Sequence, residues 1–218
     1  MSNDGISTLQ SVLQQHGATR ALHLHLVDRV AEAPALLREH LPAQRYTVVV
    51  DAITARLAGD EIALALGANM VTVTPRTDGA VVAGRGEAEQ VTRRLREQNT
   101  QVAIAVGSGT LNDLTKFASQ QLGIPACVVA TATSMNGYTS ACAALLDEGV
   151  KVSVPCAAPR IAIAPVDLLC QAPARMIAAG FGDLRSRPVS GADWYLGHRL
   201  LGTPYAAEAL QLVDTAEH

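Results

Sequence analysis

Residues 102–125, VAIAVGSGTLNDLTKFASQQLGIP, pass from an unbroken apolar run through Gly107-Ser108-Gly109 into a helical pattern. Glycine has no Cβ, so a second molecule can lie against the backbone there and unusual φ angles are open. Ser108 and Thr110 add hydroxyl donors. The helix that follows points free N–H groups and the positive end of its dipole at the turn. That chemistry suits an anion, and a diphosphate best. The pattern is G-x-G without a third glycine at the usual spacing, so it departs from the ordinary dinucleotide fingerprint, and a plain tight turn uses glycines too. A second candidate is Asp51, which closes the apolar run YTVVVD. A carboxylate at the tip of a buried parallel strand can accept from a ribose 2′-hydroxyl and repel a 2′-phosphate, or it can cap the helix that follows. A third is the pair His23 and His25 in ALHLHLV. Two residues apart on a strand, they face one side, a spacing that suits a metal. With no third ligand near, the expectation is an ordinary surface or edge pair.

The elements that must position these residues alternate. YTVVVD (46–51), MVTVTP (70–75), QVAIAVG (101–107) and PACVVATA (125–132) read as strands. Helices read over EAPALLREHLPA, GDEIALALGA, GEAEQVTRRLREQ and TLNDLTKFASQQLG, with a short one over 5–16. Strands alternating with helices at these lengths predict a parallel sheet covered on both faces. GVKVSVPCAAPRIAIAP breaks the alternation and reads as two short strands with a turn, a hairpin at the sheet edge. After Pro173 the pattern becomes helical, in PARMIAAGFGDLRS, GADWYLGHRLLG and PYAAEALQLVDTAEH. The division expected is an α/β dinucleotide-binding domain over 1–170 and the beginning of a helical domain over 171–218.

Composition excludes several classes. The net charge of −3 and the absence of a basic run argue against a nucleic-acid partner. The four cysteines stand fourteen or fifteen residues apart with no CxxC pair, which argues against a zinc knuckle and predicts reduced, buried thiols. No apolar run reaches bilayer-spanning length, and the N-terminus has no signal-peptide pattern, so a cytoplasmic location is expected.

Three motifs in order, VGSGTLNDLTKFAS, ATATSMNGYTS and APARMIAAGFGDLRSRPVSGADW, resemble the sn-glycerol-1-phosphate dehydrogenase family. More broadly they resemble the superfamily of iron-containing alcohol dehydrogenases, glycerol dehydrogenases and dehydroquinate synthases. The resemblance runs from about residue 20 to the end, and IAAGFGDL is its most specific part. It implies a dehydroquinate synthase-like fold: a parallel-sheet nucleotide-binding domain, then an all-helical domain, with NAD or NADP and a divalent metal, zinc above all, in the cleft between them. By position it implies that Gly107, Ser108, Gly109 and Thr110 form the diphosphate loop and that Asp51 meets the adenosine ribose. Thr131 and Ser134 would lie near the nicotinamide, Lys151 and Asn136 near the reacting substrate, and Asp183 would be the first metal ligand. The implied reaction is hydride transfer between a phosphorylated ketone and its alcohol, with the ion as Lewis acid on the substrate oxygen. On residue type alone, Asp183 serves equally as an acid capping or pairing within a helix.

The sequence departs from that family in places. The family's metal is held by one Asp and two His from later helices. Here His198 follows Asp183 by fifteen residues, roughly 22 Å along a continuous helix at about 1.5 Å per residue. A three-ligand site is therefore not expected within these 218 residues, and a complementing chain or homo-oligomer is. SMDGY has become SMNGY, placing Asn136 where the family has an acid, and an amide is neither a base nor a good cation ligand. Arg185 stands where the family has Leu, Arg187 where it has Lys, and Pro165 where it has an acid. Two alternatives to a dehydrogenase stay open: a non-catalytic nucleotide-binding or partner subunit, and a lyase of the dehydroquinate synthase kind. The glycerol-phosphate wording of SM-GYTS and IAAGFGDL favours the first reading over the lyase.

Overall fold

The computed structural model describes residues 22–216. The helix expected over 5–16 lies outside them. The first half alternates strand and helix: β1 (His23–Val27), α1 (Ala33–His40), β2 (Tyr46–Val50), α2 (Ala52–Thr54), a π-helical turn (Ala55–Gly59), α3 (Asp60–Leu66) and β3 (Asn69–Thr72). Next come α4 (Arg85–Glu97), β4 (Val102–Gly107), α5 (Gly109–Leu122) and β5 (Ala126–Ala130). The rest comprises β6 (Cys142–Asp147), β7 (Val150–Pro155), β8 (Ile161–Pro165), α6 (Val166–Leu169), α7 (Ala174–Arg185), α8 (Arg187–Leu201) and α9 (Ala207–Ala216).

Six strands form one parallel sheet in the order β1-β8-β5-β4-β2-β3. β2, β4 and β5 are buried at every position because both faces are covered, which is why they read as continuous apolar runs rather than alternating ones. Val48, Val50, Ile104 and Val106 face α1 and α3 through Leu37 and Ile62. Val49 and Ala103 face the other way, toward Val91 and Leu95 of α4 and Leu114 and Phe117 of α5.

The hairpin expectation is corrected. β7 and β8 do not pair with each other. β7 pairs antiparallel with β6, a strand not anticipated from CAALLD, and the two form a separate ribbon packed on α5. β8 inserts into the main sheet between β1 and β5, where Ile161 and Ile163 are buried. Two apolar runs joined by a turn carry no local signal of which neighbour each prefers; the long-range pairing decides. The expectation of four buried thiols is also corrected: all four are free, but Cys142 is only half-buried and Cys170 is exposed. The pair His23 and His25, read as lacking a third ligand, gains His40 from the last turn of α1.

Candidate functional site

The chain runs from β2 outward to β3, then returns to the other side of β2 with β4 and continues to β5 and β8. The direction of winding reverses between β2 and β4, and in open parallel sheets the crevice outside the strand ends at such a reversal is where ligands bind. Asp51 follows β2 and Gly107 ends β4, in the register that pairs Val49 with Ala105 two residues earlier. The fold thus brings the two cofactor candidates of the sequence to one crevice.

The glycine turn is built for close approach. Ser108 has extended backbone and its side chain makes no cap hydrogen bond. The N–H of Asn112 donates to Ser108 O at 3.1 Å, so those of Gly109, Thr110 and Leu111 have no intrahelical acceptor. A Cβ at Gly109 would stand 3.2 Å from Met135 Sδ. Beside the turn lies a cavity of about 370 Å³ lined by Gly109, Thr110, Asp113, Met135 and Lys151, among others. These features fit a dinucleotide's diphosphate: amides without a helical acceptor at a helix N-terminus, and a glycine where a side chain would crowd Met135.

Asp51 acts as the cap of α2. Its Oδ1 accepts from the N–H of Ile53 and of Thr54, both at 2.8 Å, and the Thr54 hydroxyl accepts from the Asp51 N–H at 3.0 Å. Oδ2 takes no part in this box.

The loop after β5 crosses the same end of the sheet. The Thr131 N–H donates to Gly107 O at 3.2 Å, so Thr131 backs the glycine turn. The Tyr138 hydroxyl donates to Ala132 O at 2.6 Å; burial pushes its pKa up to about 12, with the Ser134 hydroxyl acting in the opposite sense. Sequence reading missed Lys116. It is 1% exposed, and its Nζ donates to Cys142 O at 2.6 Å and Ser140 Oγ at 3.0 Å and pairs with Asp113 Oδ1 at 3.0 Å. This ammonium ties α5 to the loop that carries Met135 and Asn136. Burial raises the Asp113 carboxyl above its ordinary value, with Lys116 and, more weakly, Lys151 acting in the opposite sense. The only hint in the sequence was a lone lysine on the apolar side of TLNDLTKFAS.

The motif IAAGFGDL acts through one contact. At Gly180 an added Cβ would meet Thr133 O at 1.6 Å, so only glycine lets α7 lie against this loop. Three residues on, Asp183 Oδ2 accepts from the Asn136 N–H at 2.8 Å. Asp183, Asn136 and the glycine turn therefore share one neighbourhood, through Met135. A metal fits less well. The one group of three or more His, Cys, Asp or Glu side chains close enough to share an ion, among the described residues, is His23, His25 and His40, and none forms around Asp183. His198 is committed elsewhere, its Nδ1 2.8 Å from Thr203 O and its ring stacked on Tyr205. Arg185, which stands where the family has Leu, is exposed.

Fold and crevice together define a doubly wound, parallel α/β unit with a helical extension. A family model described as iron-containing alcohol dehydrogenase matches residues 24–173. The chain belongs to the iron-containing alcohol dehydrogenase family. Over an alignment of 225 positions it is 36% identical to a glycerol-1-phosphate dehydrogenase (NAD(P)+) of Bacillus licheniformis, covering 98% of this chain and 56% of that one. A glycerol-1-phosphate dehydrogenase of Pyrococcus abyssi is 34% identical over 169 residues, 77% of this chain and 48% of the relative. Among solved structures, a probable glycerol dehydrogenase from Sinorhizobium meliloti superposes with a TM-score of 0.72 at 19% identity, over 90% of this chain and 54% of that one, which speaks for the fold. The chain spans about half the length of the curated relatives it matches. No helix among the described residues is long and apolar enough to cross a membrane.

Proposed function

We propose that this chain is the dinucleotide-binding part of an NAD(P)-linked oxidoreductase of the glycerol-1-phosphate dehydrogenase kind, interconverting dihydroxyacetone phosphate and glycerol-1-phosphate. The observation that carries the reading is the row of unpaired amides at Gly109, Thr110 and Leu111, set at the winding reversal. The similarity to the glycerol-1-phosphate dehydrogenases supports the substrate. In this reading Gly107, Ser108, Gly109 and Thr110 hold the diphosphate. The second carboxylate oxygen of Asp51 receives a ribose hydroxyl while the first keeps its cap. Thr131 and Ser134 flank the nicotinamide. Lys151, at the wall of the cavity, neutralises substrate phosphate, and Asn136 hydrogen-bonds a substrate hydroxyl. The bound dinucleotide supplies or accepts the hydride. The proposed domain division, 1–170 and 171–218, places Asp183 on the second part, facing the first.

The donor set for a divalent ion, zinc in this reading, is incomplete among the described residues: Asp183 is a single carboxylate, already accepting from Asn136. Two further ligands would have to come from outside them, from a longer chain or a complementing subunit. The incomplete set and Asn136 in place of an acid favour a second reading, a nucleotide-binding subunit without activity of its own. The two separate in one assay. Purified chain is mixed with NADH or NADPH, zinc and dihydroxyacetone phosphate, and loss of reduced-nicotinamide absorbance is followed. Turnover that disappears in Lys151→Met supports the dehydrogenase. Dinucleotide binding without turnover supports the subunit. Absence of both removes the proposal.

A further inference from the structure

Apart from the crevice, three imidazoles meet at the sheet's edge strand. His23 and His25 alternate onto one face of β1, and His40 ends α1, which packs on that side. The His40 ring lies 4.0 Å from that of His23, nearly parallel, and 4.9 Å from that of His25. One ring nitrogen from each lies within 4.8 Å of the others. All three residues are half-buried, and His25 Nε2 is removed from solvent with no hydrogen-bond partner among the described residues. An imidazole nitrogen that has lost water and gained nothing is costly, and a metal ion is one of few groups that would restore what it lost.

We propose that His23, His25 and His40 form a three-nitrogen site for a divalent transition metal, zinc in the first instance, which staples the edge strand to α1. Zinc–nitrogen bonds of about 2.0–2.1 Å set tetrahedral ligand atoms roughly 3.4 Å apart. Nitrogens no more than 4.8 Å apart reach that spacing by side-chain rotation, with no movement of β1. His40, at the end of its helix, supplies most of that rotation, because its stacked ring must turn for its lone pair to converge with the others. The fourth position stays open to water or an anion. Borderline imidazole ligands also suit cobalt, nickel and copper, so cobalt can serve as the spectroscopic probe. Arg160 places a like charge near His23 that an ion must overcome, and Glu39 offsets it only in part. The site uses neither Asp183 nor the glycine turn, and it stands whether or not the chain binds dinucleotide.

The test uses the full 218-residue chain, free of any affinity tag and stripped with chelator. Zinc is titrated calorimetrically and cobalt by visible absorption. The expected result is one ion per chain with the absorption of four-coordinate cobalt, together with a rise in thermal midpoint on adding zinc. In His40→Ala, affinity falls about tenfold or more and the midpoint shift disappears. His40→Gln, checked for native circular dichroism, gives the same loss and guards against misfolding. Asp183→Asn leaves binding unchanged. No binding by the wild-type chain would overturn the proposal. So would undiminished binding in both His40 variants, which would place the ion on Asp183 or on other histidines such as His16, His198 or His218.

Discussion

Two glycines two residues apart on α7 should respond to alanine in opposite directions. At Gly180 the new methyl carbon would lie 1.6 Å from Thr133 O. Carbon atoms of this kind essentially never approach nearer than 3.0 Å, so helix or loop must give way by at least 1.4 Å, the difference of those two distances. The obstacle is backbone, which cannot rotate aside. A shift of that size carries Asp183 out of its 2.8 Å bond to the Asn136 N–H. A hydrogen bond to a charged group is worth about 1.5–3 kcal/mol, and alanine's better helix propensity returns only about 1 kcal/mol. The net loss is therefore roughly 0.5–2 kcal/mol, capped by the cost of undocking α7 altogether, since the helix can leave while the sheet stays folded. At Gly182 an added Cβ meets nothing within 4 Å, so alanine should raise stability by about 0.5–1 kcal/mol. Hydrogen exchange along α7, with chemical denaturation alongside, reads both. Gly180→Ala should speed exchange of the α7 amides and Gly182→Ala slow it. Equal effects in the two variants would refute the claim that the contact with Thr133, and not helix propensity, selects glycine at position 180.

Other outcomes follow from the same contacts. Lys116→Met should destabilise the chain by about 3–5 kcal/mol in urea denaturation, because it leaves the Asp113 carboxylate and Cys142 O without their buried cation. Tyr138 has its pKa raised from 10 to about 12, so the folded state holds that proton more tightly than the unfolded one. Stability from this group is complete below pH 10 and declines between pH 10 and 12, by a few kcal/mol at most, on the order of 1.4 kcal/mol per pH unit. Tyr138→Phe should flatten that decline and remove the component that ionises near pH 12 in an absorbance titration. α7 and α8 leave Phe181, Val189, Leu200 and Leu201 between 66% and 80% exposed, so sizing chromatography of the isolated chain should show self-association; a monodisperse monomer would contradict this.

The parts of this molecule that were legible in the sequence are those whose signal is local. β2, β4 and β5 were visible because burial on both faces demands uninterrupted apolar runs, and α4 because only one of its faces is covered. The glycine turn was visible because a backbone approach requires glycine. What escaped were relations between distant segments. β6 and β7 find each other across a two-residue turn while β8 leaves for the main sheet, and nothing within CAALLD or RIAIAP distinguishes those fates. His40 joins His23 and His25 only because α1 folds back over β1. Lys116 is buried because four oxygens converge on it, from Gly137 and Ser140 in the loop after β5, from Cys142 at the start of β6 and from Asp113, a demand no single helix displays. Asp51 carried two readings, and the structure shows the cap directly.

The central claim is that the amides opening α5 hold the diphosphate of a nicotinamide dinucleotide. Calorimetric titration of the chain with NADH and with NADPH, beside Gly109→Val, tests it most directly, since valine adds bulk at the first residue of α5, where a Cβ would stand only 3.2 Å from Met135 Sδ. One dinucleotide per chain should bind to the wild type and none measurably to the variant. Silence from the wild type with both cofactors, or equal affinity in Gly109→Val, would contradict the account.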